Sequence, residues 1–156
     1  MNAALAMGSQ QQSRENVTGA EAAYLDAIRM DPENAKAHAW LAVLLFQQRQ
    51  RNQAFAYWDR AITLWNQQLQ GGTLDAGEVQ DARQGLAQAE QNYGRALLIQ
   101  ADELSAERRS SEAIQYWQHV ILVSPGSPEA RIAQGRLDTA GSAGASIFPS
   151  QMGASP

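Results

Sequence analysis

Apolar residues recur along the chain with the spacing of a helix that buries one face. The first such stripe is Ala20, Tyr24, Ala27 and Ile28, which follows the spacing i, i+4, i+7, i+8. The same order of a small residue, an aromatic residue and further small or branched residues returns at Ala54, Trp58, Ala61 and Ile62, and again at Ala113, Trp117, Val120 and Ile121. The pattern predicts a helical chain with three related segments.

Proline and glycine mark where these helices end. Pro32 and Pro125 follow the first and third stripes, and proline ends a helix because it lacks the amide hydrogen and clashes with the preceding turn. Asn66 stands at the corresponding place in the second segment. That helix is therefore expected to continue to Gln70 and to stop at Gly71-Gly72.

A further helical pattern follows these glycines. Apolar residues recur every three or four positions from Val79 to Leu104, which predicts one helix over residues 76–106. Gly85 and Gly94 lie inside it, and each costs about 1 kcal/mol relative to alanine. A break near Gly94 is the alternative. Trp65, near the end of the preceding helix, is expected to pack on this inserted segment.

Helix-capping signals agree with these boundaries. A side-chain oxygen just before a helix accepts a hydrogen bond from the first turn, and a glutamate three residues later can return one. The predicted capping boxes are Thr18 with Glu21 and Asp75 with Glu78, and the predicted single N-caps are Asn34, Asn52, Ser110 and Ser127.

The distance between related positions indicates a repeat. It is 34 residues from Ala20 to Ala54, and 59 residues, one period and 25 more, from Ala54 to Ala113. In period and in the order of small and aromatic residues, the sequence resembles the tetratricopeptide repeat family, whose period is about 34 residues. The resemblance implies an all-α fold of antiparallel helix pairs, stacked as a short right-handed superhelix.

The resemblance also suggests a domain plan. The expected segments are a tetratricopeptide-like domain over 1–138, with repeats at about 1–34, 35–68 and 94–127, a helical insertion at 69–93, a capping helix at 128–138 and a tail at 139–156. The tail is small, polar and uncharged, and it is expected to be disordered because it offers little apolar area to bury.

Composition excludes several classes of protein. The 156 residues carry 12 Lys and Arg against 16 Asp and Glu, a net charge of -4, which argues against nucleic-acid binding. The absence of cysteine excludes disulfides, thiolate zinc sites and cysteine nucleophiles. No segment approaches the ~18 apolar residues of a membrane-spanning helix. The N-terminus lacks the basic residue of a secretory signal, so the expected location is cytoplasmic, or periplasmic if a signal was removed.

No constellation of catalytic or metal-binding residues is present in the sequence. The two histidines, His38 and His119, are far apart, and neither lies near a serine or carboxylate in a pattern typical of nucleophilic catalysis. His38 falls at a core position of the helix pair. We therefore expect a non-enzymatic protein with no catalytic residue, metal or cofactor.

The resemblance implies a concave groove, lined by the first helix of each pair, that binds a peptide or an amphipathic helix of a protein partner. Carried over by register, the groove residues are Leu5, Ser9, Gln12, Lys36, Ala39, Val43, Phe46, Gln47, Arg95, Leu98 and Asp102, and Trp40 is the tryptophan best placed for a contact. Val43 and Phe46 are either apolar anchors for the partner or packing contacts with the neighbouring repeat.

Five arginines fall in the turns between paired helices, and stacking would bring those turns onto one basic rim. They are Arg14, Arg49, Arg51, Arg108 and Arg109. Cations are favoured at helix C-termini by the helix dipole, which explains them without a ligand. Contact with an acidic partner or an anionic surface is the alternative.

These features favour an adaptor that helps to assemble a larger complex. The apolar first helix, with Leu5 and Met7, is expected to have an open outer side, so self-association or a trimmed longer protein is considered as well. The alternative function is a structural subunit of a fixed assembly, held by its N-terminal edge or by the inserted helix.

Overall fold

The computed structural model describes the backbone of residues 17–153 and the side chains of residues 17–141. Over this range the chain is all α-helical, as predicted. The helices are α1 (Val17–Met30), α2 (Ala35–Gln47), α3 (Arg51–Gly71), α4 (Ala76–Ala106), α5 (Ser110–Val123) and α6 (Pro128–Gly153). The chain divides into two compact units between Glu90 and Gln91, and α4 contributes to both.

The predicted stripes form the buried faces of their helices. Ala20, Tyr24 and Ala27 of α1 are buried. The equivalent residues of α3 (Ala54, Trp58, Ala61) and of α5 (Ala113, Trp117, Val120) are buried too. The small residues allow close approach of the neighbouring helix, and the aromatic ring fills the space one turn further on. The 59-residue offset between Ala54 and Ala113 therefore relates equivalent buried positions of α3 and α5.

Each unit contains a helical hairpin with the same turn. In the α2–α3 turn, Arg49 N–H donates to Phe46 O at 3.0 Å and Gln50 N–H donates to Leu45 O at 2.9 Å. In the α4–α5 turn, Arg108 N–H donates to Ser105 O at 3.0 Å and Arg109 N–H donates to Leu104 O at 2.9 Å. This pair of bonds is a Schellman motif, in which the residue after the helix is left-handed and is usually glycine. Here it is Arg49 (φ 65°) and Arg108 (φ 64°).

Three of the predicted caps are wrong, two of them because of these turns. Asn52 and Ser110 lie inside the first turns of α3 and α5, because the Schellman bonds return the chain to helical geometry at Arg51 and at Ser110. Thr18 lies inside α1. Asn34 caps α2, accepting from Ala37 N–H at 3.2 Å.

The remaining caps follow prediction. Asp75 Oδ1 accepts from Glu78 N–H at 2.8 Å, and Glu78 Oε2 accepts from Asp75 N–H at 2.9 Å, completing the capping box of α4. Ser127 Oγ accepts from Ala130 N–H at 3.0 Å at the start of α6. Gly72, left-handed at φ 68°, ends α3.

Helix α4 is continuous through both of its predicted weak points. It spans Ala76–Ala106, so the alternative of a break near Gly94 is wrong. Both glycines lie where a side chain does not fit. Gly85 lies against the indole of Trp65, and Gly94 lies against the side chain of Ser124. The propensity cost of each glycine is offset by close packing, and Trp65 contacts the inserted segment as expected.

The last helix is longer than predicted. It begins at Pro128 as expected but runs to Gly153, past Asp138, where the capping helix was expected to end. The Thr139 hydroxyl donates to Gly135 O at 2.9 Å within this helix. A segment too poor in apolar residues to form a core can still extend an existing helix, because propagation costs far less than nucleation. The other domain boundaries remain predictions.

Candidate protein-interaction site

One face of α2 carries four residues predicted to line a groove. Lys36, Trp40, Val43 and Gln47 are spaced four, three and four apart, so they form a single stripe on the helix. Lys36 and Gln47 are exposed, Trp40 is 39% exposed and Val43 is half-buried. We call these four residues the α2 face. Ala39, also half-buried, lies at its edge.

Phe46 turns away from this face toward α3. Its ring centroid lies 6.3 Å from that of Phe55 and 6.0 Å from that of Trp58, and the Arg51 guanidinium lies 5.1 Å from the Phe46 centroid. Such distances are typical of packed aromatic pairs and of a cation–π contact. Phe46 thus packs within its own hairpin, which neither of the two predicted alternatives described, and Trp40 and Val43 remain as the apolar residues of the α2 face.

The opposite side of α2 holds the buried His38. Its Nε2 lies 3.0 Å from Pro32 O, so Nε2 carries the hydrogen and donates. Nδ1 is buried and has no hydrogen-bond partner in the part of the chain that the structure describes. Burial lowers the pKa of His38, the bond to Pro32 opposes that shift, and the charge of Arg60 adds to it. The ring also contacts Tyr57 at 5.7 Å, and this environment holds a neutral imidazole as a packing element.

In the second unit, the predicted groove residues of α4 are paired with α6. Arg95 Nε lies 3.4 Å from Glu129 Oε1, and Arg136 Nε lies 3.4 Å from Asp102 Oδ1. Asp102 Oδ1 also accepts from Trp117 Nε1–H at 2.9 Å. The two charged groove residues of this unit therefore bind the chain's own last helix.

Sequence reasoning missed the α6 partners, although a signal for them existed. Glu129 and Arg136 lie 34 residues after Arg95 and Asp102, so one repeat period relates each pair. Leu98 and Ile132 share that offset and lie at the same level between the pairs; Leu98 is half-buried and Ile132 is exposed. Extending the period to residues 128–138 would have predicted these contacts.

Of the arginines of the predicted rim, Arg109 is paired with residues close to it in the chain. Arg109 pairs with Glu112 at 2.6 Å and lies 3.5 Å from Glu107. The hydrogen bond to Glu112 raises the pKa of Arg109, and the same bond lowers the pKa of Glu112. Arg49 and Arg108 occupy the left-handed turn positions. A common rim formed by the turns of several hairpins stays a prediction.

Some of the expected residues and properties lie beyond what the structure describes. Leu5, Ser9, Gln12 and Arg14 fall outside the described residues. Within the described residues, no group of three His, Asp or Glu side chains could hold a metal ion. The helices described include none that combines the length and the apolar composition needed to cross a membrane.

Two hairpins built on one turn geometry, with equivalent buried residues, are typical of helical-repeat proteins. The family comparison agrees with this class. Residues 23–56 match the family model described as tetratricopeptide repeat, and this match is centred on α2 and the α2 face. The chain thus carries a tetratricopeptide repeat, and the predicted family is confirmed over those residues.

Comparison with other proteins adds little to this assignment. A solved structure entitled "Crystal structure of MamA" is similar over 85% of this chain and 86% of that chain, at 18% identity and a TM-score of 0.40. No curated protein matches the chain in sequence. The helical-repeat assignment therefore rests on the chain's own hairpins and on the repeat at residues 23–56.

Proposed function

We propose that this chain is a non-enzymatic adaptor that binds a peptide or an amphipathic helix of a partner protein on the α2 face. The observation that carries the proposal is the exposure of Trp40 within the tetratricopeptide repeat. Tetratricopeptide repeats are typically protein-interaction modules, and tryptophan is among the residues that contribute most to binding when a partner covers them.

The chemistry of the α2 face fits a partner with an apolar anchor. Trp40 and Val43 are one helical turn apart and form an apolar centre, and Lys36 and Gln47 are polar residues at its two ends. An apolar centre with a polar rim is the usual anatomy of a protein interface. Lys36 is the only lysine of the chain. A carboxylate on the partner, one turn from its apolar anchor, would pair with it.

The contacts of Phe46 and the exposure of Trp40 indicate which of the two residues should be changed to test this proposal. Changing Phe46 would disturb its contacts with Phe55 and Trp58 and so confuse binding with folding. Trp40→Glu instead places a charge at a position that is 39% exposed and leaves Phe46, Phe55 and Trp58 unchanged. The matched control is Leu122→Glu, an exposed apolar residue of the second unit.

The experiment is affinity capture from source-cell lysate with wild type, Trp40→Glu and Leu122→Glu, read by mass spectrometry. A protein retained by wild type and by Leu122→Glu, and lost with Trp40→Glu, supports the proposal. Equal recovery with all three chains contradicts it. Circular dichroism of the three chains verifies that each is folded.

A further inference from the structure

The face formed by α4 and α6 in the second unit carries two ion pairs of opposite polarity. Arg95 of α4 pairs with Glu129 of α6, and seven residues further along both helices Asp102 of α4 pairs with Arg136 of α6. Seven residues of helix rise about 10 Å. Since both contacts advance in the same direction along the two helices, α4 and α6 run parallel here. The charges alternate in sign around the face; Arg95, Asp102 and Arg136 are partly exposed, and Glu129 is buried.

An apolar centre lies between the two pairs. Ile132 is 46% exposed and Leu98 is half-buried, and each is three residues after one pair and four residues before the other on its own helix. Trp117 Nε1–H donates to Asp102 Oδ1 at 2.9 Å, which fixes that carboxylate in place. We call the face defined by the two ion pairs, Leu98 and Ile132 the α4–α6 face.

We propose that the α4–α6 face binds the same face of a second copy of this chain, forming a two-fold symmetric dimer. The argument is charge complementarity. Rotation about a two-fold axis in the plane of the face, either along the helices or across them, places every cation of one copy opposite an anion of the other. The same rotation brings the apolar centres together. Few charge patterns are complementary to themselves in this way, and two-fold dimers require it.

The most exposed large apolar residue among the described residues of this unit lacks such a setting. Leu122 on α5 is 79% exposed, more than Ile132, but the ion pair between Arg109 and Glu112 lies at the start of that helix, ten residues or more before Leu122. The proposal therefore rests on the arrangement of charge around Ile132, not on apolar exposure as such. A contact two helices wide is small, so the dimer is a weak one. It is independent of the α2 face, which lies in the other unit.

Sedimentation velocity of the full chain over a wide concentration range tests the proposal. The apparent mass should rise from 17.0 kDa toward twice that value. Ile132→Glu should raise the dissociation constant at least tenfold, whereas Leu122→Glu should leave it unchanged. Higher salt should weaken the dimer, because exposed charge contacts are screened. A monomer at every concentration, or equal effects of the two substitutions, would overturn the proposal.

Disulfide trapping provides a positional test, since the chain has no cysteine. A disulfide forms only when the two Cβ atoms come within about 3.5–4.5 Å. An axis across the helices predicts a covalent dimer of Ile132→Cys, and an axis along them predicts one from a mixture of Ile132→Cys with Leu98→Cys. Either product supports the face. No covalent dimer from both, or equal trapping of Leu122→Cys, contradicts it. None of these results bears on Trp40, so the two proposals fail separately.

Discussion

The indole of Trp65 on α3 lies directly against Gly85 on α4, so closely that a methyl group at residue 85 would come within 2.8 Å of the ring atom Cε2. Both residues are within the first unit. Gly85 is half-buried and Trp65 is buried. Gly85, which has a low helix propensity, is thus the position at which the end of α3 packs against the inserted segment.

Gly85→Ala should therefore lower the free energy of unfolding although alanine is the better helix former. Displacing the indole from a packed site costs about 1–3 kcal/mol, more than the ~1 kcal/mol gained in propensity. The control is Gly135→Ala in α6, where no atom lies within 4 Å of the added methyl group. That change should stabilise by about 0.5–1 kcal/mol. Thermal and urea unfolding followed by circular dichroism provides the comparison, and stabilisation by both substitutions would refute this packing account.

The two left-handed arginines predict stabilising substitutions. Arg49→Gly and Arg108→Gly each remove a Cβ from a backbone conformation that disfavours it, at φ 65° and 64°. The strain relieved is about 1–2 kcal/mol, and the greater entropy of glycine in the unfolded chain offsets part of that gain. A net stabilisation of about 0.5–1 kcal/mol is expected, measured as a higher Tm. Arg49→Ala, which keeps the Cβ, should show no such gain, and an equal gain with alanine would exclude backbone strain as the cause.

Burial of His38 predicts a dependence of stability on pH. The pKa of His38 is lower in the folded chain than its ordinary value of 6.5. Below pH 6.5 the unfolded chain therefore binds more protons than the folded chain does. The contribution of His38 to the free energy of unfolding is fully present above pH 6.5 and is lost as the pH falls toward the pKa of the folded chain. His38→Gln keeps a donor for Pro32 O but cannot titrate, so it should reduce the decline.

Urea unfolding at a series of pH values measures this effect. A decline of the same size in His38→Gln would assign the pH dependence to other groups.

Two substitutions at Asp102 separate the effect of its charge on stability from the effect of its hydrogen bond. Asp102→Asn removes the pairing with Arg136, a partly exposed contact, and keeps an oxygen that can accept from Trp117. Its cost should be below about 1 kcal/mol. Asp102→Ala leaves the buried Trp117 N–H without this acceptor and should cost about 1–3 kcal/mol. Urea unfolding of both variants distinguishes the two terms, and equal costs would show that the tryptophan bond contributes little.

The helices themselves were largely predictable from the sequence. Periodicity, glycine pairs and capping residues predicted α4 at residues 76–106 and the end of α3 near Gly71, because these signals act within a few residues of chain. The continuation of α6 past Asp138 was missed, since composition reports on burial and says little about extension of a helix already formed.

The candidate site was predictable only in part. The register of the resembled family indicated which residues of α2 belong to the site, and Trp40, the tryptophan chosen for a contact, is 39% exposed. The inward packing of Phe46 on Phe55 depends on contacts between helices, which no local pattern reports. The left-handed Arg49 has no sequence signal either, because glycine is the usual residue at that position. The pairing of Arg95 with Glu129 needed the repeat period to be extended into the last helix.

The central claim is that a partner protein covers Trp40. The most direct measurement replaces Trp40 with a photoreactive benzophenone amino acid in the full chain, illuminates the source cells and identifies the covalent adducts by mass spectrometry. The same replacement at Leu122 serves as the control. The account predicts an adduct with a distinct protein at position 40 and its absence at position 122. No adduct at position 40, or the same adducts at both positions, would contradict the claim that the α2 face is a binding site.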